Sequence, residues 1–98
     1  MISKNIPINK KEDFEKMRES GRLAAHVLDQ LDTLIVPGIS TLEINNFCHD
    51  LILKNKAIPA PLNYKGFPKS ICTSVNHVVC HGIPSENKIL KDGDIVNV

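Results

Sequence analysis

The chain has no tryptophan and few aromatic residues of any kind: Phe14, Phe47, Tyr64 and Phe67 are all it carries. That excludes a core built on large rings and leaves aliphatic packing to hold the fold. Charge of one sign is also lacking, with 12 Lys and Arg against 11 Asp and Glu and a formal net charge of +1. A module driven onto nucleic acid by a strong basic field is thereby excluded, and no nucleic-acid partner is expected. No apolar run approaches the roughly 20 residues that span a bilayer, so no membrane contact is expected. The opening Met1-Ile2-Ser3-Lys4-Asn5 has no apolar signal core, which makes the cytoplasm the expected location. Cysteine is sparse and odd in number, with 3 residues, Cys48, Cys72 and Cys80. That pattern excludes a disulfide framework and reads as reduced thiols. Internal repeats are absent.

Missing spacings exclude further chemistry. There is no C-x-x-C, a pairing from which structural zinc sites are usually built. Gly82 and Gly93 stand alone, so there is no phosphate-cradling loop. Asp92 and Asp94 flank Gly93 as turn residues, and Glu12, Asp13, Glu15 and Glu19 lie on one helical face. None of these carboxylates is placed as an acid–base or two-metal pair.

What remains is one small α+β domain. At 98 residues the chain holds a single domain at most, and its 42% hydrophobic content is ordinary for a folded one. The character changes near residue 57, helical before it, turns and short strands after it. A first helix is predicted over about 10–35, with Asn9 as its cap and Glu12 reaching back. Phe14, Met17, Ala24, Ala25, Leu28, Leu31 and Ile35 form its apolar stripe. Val36-Pro37-Gly38 ends it, because the residue before proline disfavours the helical region. A second helix is predicted over about 40–56. Ser40-Thr41-Leu42-Glu43 is a capping box, Ile39 and Ile44 have the spacing of a hydrophobic staple, and Ile44, Phe47, Cys48, Leu51 and Ile52 form the buried stripe. The short connection makes the two helices antiparallel neighbours. Residues 57–70 then form a proline-punctuated loop. Strands are predicted at 71–75, 78–80 and 95–98, with Asn76-His77 as a turn between the first two and Lys91–Asp94 as another. The last strand stops after two alternations, so the carboxy-terminus reads as cut.

Four residues of the second half are candidates for a site. His81 stands where a strand should end, beside Gly82, which leaves room for a ligand or another backbone. An imidazole held there can hydrogen-bond a substrate near neutral pH; the competing reading is a histidine with no task. Cys80 cannot easily serve as a nucleophile with His81 as its base, because neighbours on a strand point to opposite faces, and it reads as core. Tyr64 and Phe67 sit three apart on the stiff loop and can wall an apolar pocket, with Cys72 completing the wall. The competing reading is that the rings only cap the helix pair. A zinc site from Cys72, Cys80 and His81 is the weakest of the alternatives.

The run Pro61-Leu62-Asn63-Tyr64-Lys65-Gly66-Phe67-Pro68-Lys69-Ser70-Ile71-Cys72-Thr73-Ser74-Val75-Asn76 resembles the substrate-pocket segment of type I methionine aminopeptidases. The resemblance continues through Val78-Val79-Cys80-His81-Gly82-Ile83-Pro84 and Leu90-Lys91-Asp92-Gly93-Asp94-Ile95-Val96-Asn97-Val98. It includes Lys16–Ala25 and Pro37–Thr41, and so covers nearly everything from Asp13 onward. It implies the first part of a pita-bread fold, with residues 1–98 forming part of the amino-terminal half of the catalytic domain. It implies removal of the initiator methionine from nascent chains, near the ribosome, by a metallo-exopeptidase. Two divalent metal ions (cobalt, manganese, iron, zinc or similar) supply the hydroxide in the full-length family. By the resemblance His81 contacts the substrate near the scissile amide, while Tyr64, Phe67 and Cys72 line the methionine side-chain pocket. An unbranched thioether suits such a wall. Phe67 stands where several bacterial members carry tyrosine, Pro61 where some carry cysteine, and His77 where glutamate is common. The family's five metal ligands would all follow Val98, so no metal is expected to bind here in the family manner and the chain alone is expected to be inactive. Alternatives are a truncated, non-catalytic binding or regulatory module and a small zinc protein. The unpartnered edge strand implies self-association.

Overall fold

A computed structural model describes residues 5–98; residues 1–4, read above for their lack of a signal core, lie outside the described residues. In chain order the elements are helix α1 (Lys11–Leu34), helix α2 (Thr41–Lys54), a single 3-10 turn (Tyr64–Gly66), strand β1 (Ser74–Val75) and strand β2 (Val96–Asn97). This is an α+β arrangement of two helices beside a short antiparallel strand pair.

The two helix starts differ in quality. At α2 the capping box forms as the sequence requires: Glu43 N–H donates to Ser40 Oγ at 3.1 Å, and Ser40 N–H donates to the Glu43 carboxylate at 2.8 Å. Two orphan amides of the first turn are thereby satisfied, an arrangement worth about 1 kcal/mol. At α1 the cap lies one residue later than predicted. Lys10, not Asn9, is the cap residue, and its N–H donates to Asp13 at 2.8 Å in place of the expected Glu12. Asp13 is three residues beyond Lys10, the spacing at which a carboxylate reaches back over the first turn. Helix α2 closes on Lys56, whose φ of 60° is left-handed; Ala57 N–H then reaches Ile52 O at 3.1 Å and Lys56 N–H reaches Leu53 O at 2.9 Å. Those bonds satisfy carbonyls that the helix end leaves open.

The core is small and aliphatic. Val27 and Leu31 of α1, Ile44 and Cys48 of α2, Val75 of β1 and Leu90 pack together, with Leu23, Leu34, Ile35, Phe47, Leu51 and Val96 against them. Burial of each Leu or Ile side chain contributes roughly 1.5–3 kcal/mol. The α1 stripe is rotated from the predicted one. Leu23, Val27, Leu31 and Leu34 face the core, whereas Phe14 is 51% and Met17 73% exposed. Residues 11–22 are exposed on every side, because α2 and the strand pair reach only the last turns of α1.

Beyond α2 the predicted strands shrink and re-pair. Residues 71–75 supply only Ser74–Val75, and 95–98 only Val96–Asn97; these two pair with each other, Ser74 opposite Asn97 and Val75 opposite Val96. The predicted strand 78–80 does not form. Asn76 turns left-handed at φ 53°, Val78 N–H closes the turn on Val75 O at 3.1 Å, and Val79 stands 89% exposed. The partner place beside β1 is taken by β2, so Val78–Cys80 has no ladder to join. Cys80 is accordingly exposed, not core.

The segment after β1 is tied to α2 by side chains. Thr41 and Ser85 exchange bonds: Thr41 Oγ1 donates to Ser85 O at 3.1 Å and Ser85 N–H donates to Thr41 Oγ1 at 2.9 Å. Ser40 and Ile89 form an isolated antiparallel bridge. The turn Lys91–Asp94 forms with Gly93 at φ 90°, a conformation glycine adopts without penalty. Asp94 accepts from Lys91 N–H at 2.8 Å and from Asn76 Nδ2 at 2.9 Å, which joins this turn to the end of β1.

Candidate functional site

The loop after α2 and the segment after β1 meet at an open groove of about 750 Å³. Tyr64, Phe67, Cys72 and His81 all line it, beside Ala60, Pro61, Pro68 and Ile83. The walls are thus apolar apart from one phenol, one thiol, one imidazole and the Lys65 ammonium.

Each wall residue is positioned by a local cause. Tyr64 begins the 3-10 turn, which is entered through Asn63 at φ 64° and contains Lys65 at φ 48°. Two left-handed non-glycine residues so close together fold the loop sharply back; Asn63 N–H bonds Phe67 O at 2.9 Å, closing it. Asparagine is among the residues that tolerate this conformation best. The turn presents Tyr64 at 65% exposure, with the Lys65 Nζ 5.5 Å from the ring centroid. That spacing is within cation–π range, an interaction of about 0.5–1 kcal/mol at an exposed ring.

Behind the loop, Asn45 of α2 is buried at 5% exposure. Its Oδ1 accepts from Ser70 N–H at 2.9 Å and from Ile71 N–H at 3.2 Å. His49, one turn further along α2, lies with Nδ1 2.7 Å from Ser70 Oγ. Leaving a buried amide unpaired costs roughly 1–3 kcal/mol, so Asn45 fixes where the chain enters the groove wall. Cys72 follows directly and is half-buried.

His81 is held from the other side. Thr73 N–H donates to Gly82 O at 2.8 Å, and Gly82 N–H donates to Ser74 Oγ at 3.1 Å. The two backbones are so close that a Cβ at Gly82 would collide with the Thr73 carbonyl oxygen and lie 2.8 Å from its carbon. Gly82 is therefore required by close approach, not by an unusual φ. His81 itself adopts φ 55°, a strained conformation for a non-glycine residue, costing about 1–2 kcal/mol. The Gly82 crossing holds it there and leaves the imidazole exposed at the groove.

The thiols differ in environment. Cys48 is fully buried, and burial pushes its pKa up to about 11, which makes it an inert packing residue. Asp94 moves the other way: the Asn76 side-chain bond first, and the Lys91 amide next, hold its carboxyl below the ordinary value.

The residues present do not fit a metal centre. Among the described residues no three His, Cys, Asp or Glu side chains come together as a cation site. Asp94, a carboxylate of the second half, is already engaged by Asn76 and Lys91. The small-zinc-protein alternative therefore has no donor set among these residues. No described helix is long and apolar enough to cross a membrane.

Sequence reasoning gave no place at the groove to Asn45, His49, Ala60, Lys65 or Ile83, although Lys65 and Ile83 lie within the runs that carry the family resemblance. A polar residue between Ile44 and Cys48 on a buried helical face was the only signal for Asn45.

Comparisons with known proteins bear on the family and the fold. The model of metallopeptidase family M24 matches residues 15–98. A methionine aminopeptidase from Rickettsia prowazekii is 58% identical over 93 residues, and one from Escherichia coli K12 is 53% identical over 94. Each alignment covers 95% of this chain and 36% of the relative, so the chain spans about a third of the length of the relatives it matches. The crystal structure of the Rickettsia prowazekii enzyme superposes with a TM-score of 0.89 over 93% of this chain and 36% of that one. The Thermotoga maritima methionine aminopeptidase superposes equally well, at 0.89 with 34% identity. The two helices and the strand pair are thus a portion of the pita-bread fold of those enzymes. On its sequence match and on this superposition, the chain belongs to metallopeptidase family M24.

Proposed function

We propose that the groove receives the side chain of an amino-terminal methionine, and that the whole protein removes initiator methionine from nascent chains in the cytoplasm, near the ribosome. The observation that carries this reading is the convergence of Tyr64, Phe67, Cys72 and His81 on one groove. An unbranched thioether packs well against an aromatic edge and a polarisable sulfur, and gains little from a charged wall. In this reading Phe67 and Cys72 form the sides, Tyr64 the rim, and His81 hydrogen-bonds the substrate near the scissile amide. Residues 1–98 are part of the amino-terminal half of the catalytic domain. Two divalent metal ions (cobalt, manganese, iron, zinc or similar) supply the hydrolytic chemistry, on ligands outside this chain. The chain alone then recognises and does not hydrolyse.

The test is a titration of the chain with L-methioninamide, followed by the fluorescence of Tyr64, which is the only tyrosine in a chain without tryptophan. Saturable quenching by L-methioninamide and none by L-lysinamide is expected. Equal responses to both amides, or none to either, would defeat the reading.

A second reading is a non-catalytic binding module that keeps the groove and lacks the metal centre. It differs from the first in what the complete protein does: methionine release by the complete protein supports the enzyme, and its absence supports the module. Either reading leaves Val79 and Ile95 exposed beside the strand pair. We expect this apolar edge to drive self-association of the chain.

A further inference from the structure

We infer that Asn45 and His49 of α2 are positioning residues for the groove, acting through Ser70 to set the spacing between Phe67 and Cys72. The inference rests on the reading of the groove as a side-chain pocket and adds the residues that shape it.

The observations are geometric. The wall from Phe67 to Cys72 is irregular chain; it belongs to neither strand and joins no ladder. Its position must come from other bonds, since buried backbone amides are nearly always paired. Here they come from α2. Asn45 Oδ1 takes the N–H groups of two consecutive residues, Ser70 and Ile71. A single acceptor shared by neighbouring amides fixes both the place and the direction of the chain at that point. His49 adds a second tie four residues along the same helix, 2.7 Å from the Ser70 hydroxyl. Ser70 is 2% exposed, so water cannot easily replace either partner. Phe67 is three residues before Ser70 and Cys72 two residues after it. Ser70 is the pivot between the two walls, and α2 holds the pivot.

Neither side chain touches the groove: the residues lining it include neither Asn45 nor His49. Their effect on a ligand is indirect, and a change of local geometry at Cys72 must accompany it.

The experiment measures the rate at which Cys72 reacts with Ellman's reagent in a Cys80→Ser background, where buried Cys48 stays silent. Two variants separate acceptor from volume. Asn45→Asp keeps an oxygen for both amides; Asn45→Leu keeps the size and removes it. The clamp predicts that Asn45→Asp reacts within about twofold of the parent and Asn45→Leu at least about tenfold faster, with the helical circular dichroism unchanged. If Asn45→Leu loses its helices, Ser70→Ala takes its place, removing only the His49 tie, with about a threefold acceleration expected. Unchanged Cys72 reactivity in the folded variant overturns the clamp. An Asn45→Asp rate equal to that of Asn45→Leu overturns it too, because volume alone would then set the wall. L-methioninamide quenching of Tyr64 is recorded on the same samples. Its failure in the parent defeats the pocket reading and leaves the thiol rates to decide the clamp.

Discussion

The two faces of the irregular segment between α2 and β2 are built differently. Its back is stitched to α2 through Asn45, His49, Thr41 and Ser40, with partners at Ser70, Ile71, Ser85 and Ile89. Its front carries Tyr64, Lys65 and His81, all exposed, all at a rim, two of them in left-handed conformations. The back supplies order that the short strands cannot, and the front is left bare for contact. A groove wall can therefore be held in place without regular secondary structure, provided that its backbone amides are bonded from behind.

Substitutions that break the back should cost most. Gly82→Ala places a methyl group against the Thr73 carbonyl, and one of two backbones must move. We predict loss of the folded state, read as loss of the thermal transition, because overpacking against fixed backbone typically costs 1–3 kcal/mol or more and the domain is small. Next comes the core under both faces. Leu31→Ala, at a site 3% exposed, should destabilise by about 3 kcal/mol in urea titration. Ser40→Ala removes the α2 cap and should cost about 1 kcal/mol. Asp94 sharpens the comparison through pH. Its folded pKa lies below the ordinary 3.8, so its contribution is present above that value and is lost as pH falls through the depressed one. Asp94→Asn should flatten stability against pH in that acid range only. Met17→Ser, on the exposed part of α1, should change stability by less than about 0.5 kcal/mol. A larger loss there would mean that the bare half of α1 is packed in solution.

Legibility in the sequence followed the same division. The α2 capping box was readable because Ser40 and Glu43 interact within one turn, and so were the helix breaks at Pro37 and the turn at Gly93. The α1 stripe was misread because periodicity reports a helix but not how far its partner extends: Phe14 and Met17 repeat correctly and meet nothing in the core. The strand at 78–80 was misread for a related reason. Alternation marks a residue fit for a sheet, yet whether a ladder exists depends on β2, some twenty residues on, which reaches Val75 first. The groove residues Tyr64, Phe67, Cys72 and His81 were reached through family resemblance together with stiff-loop chemistry. The Asn45 clamp was not reached, since its partners lie 25 and 26 residues away and no local pattern announces them.

The groove is proposed to have no hydrolytic centre of its own, and methionine release tests that proposal most directly. The purified chain, freed of host aminopeptidase, is incubated with a Met-Ala peptide and added cobalt or manganese. No methionine above the metal-only blank is predicted. Turnover at an ordinary enzyme rate would mean that residues 1–98 assemble a competent centre by themselves, and the division between recognition here and chemistry elsewhere would be wrong.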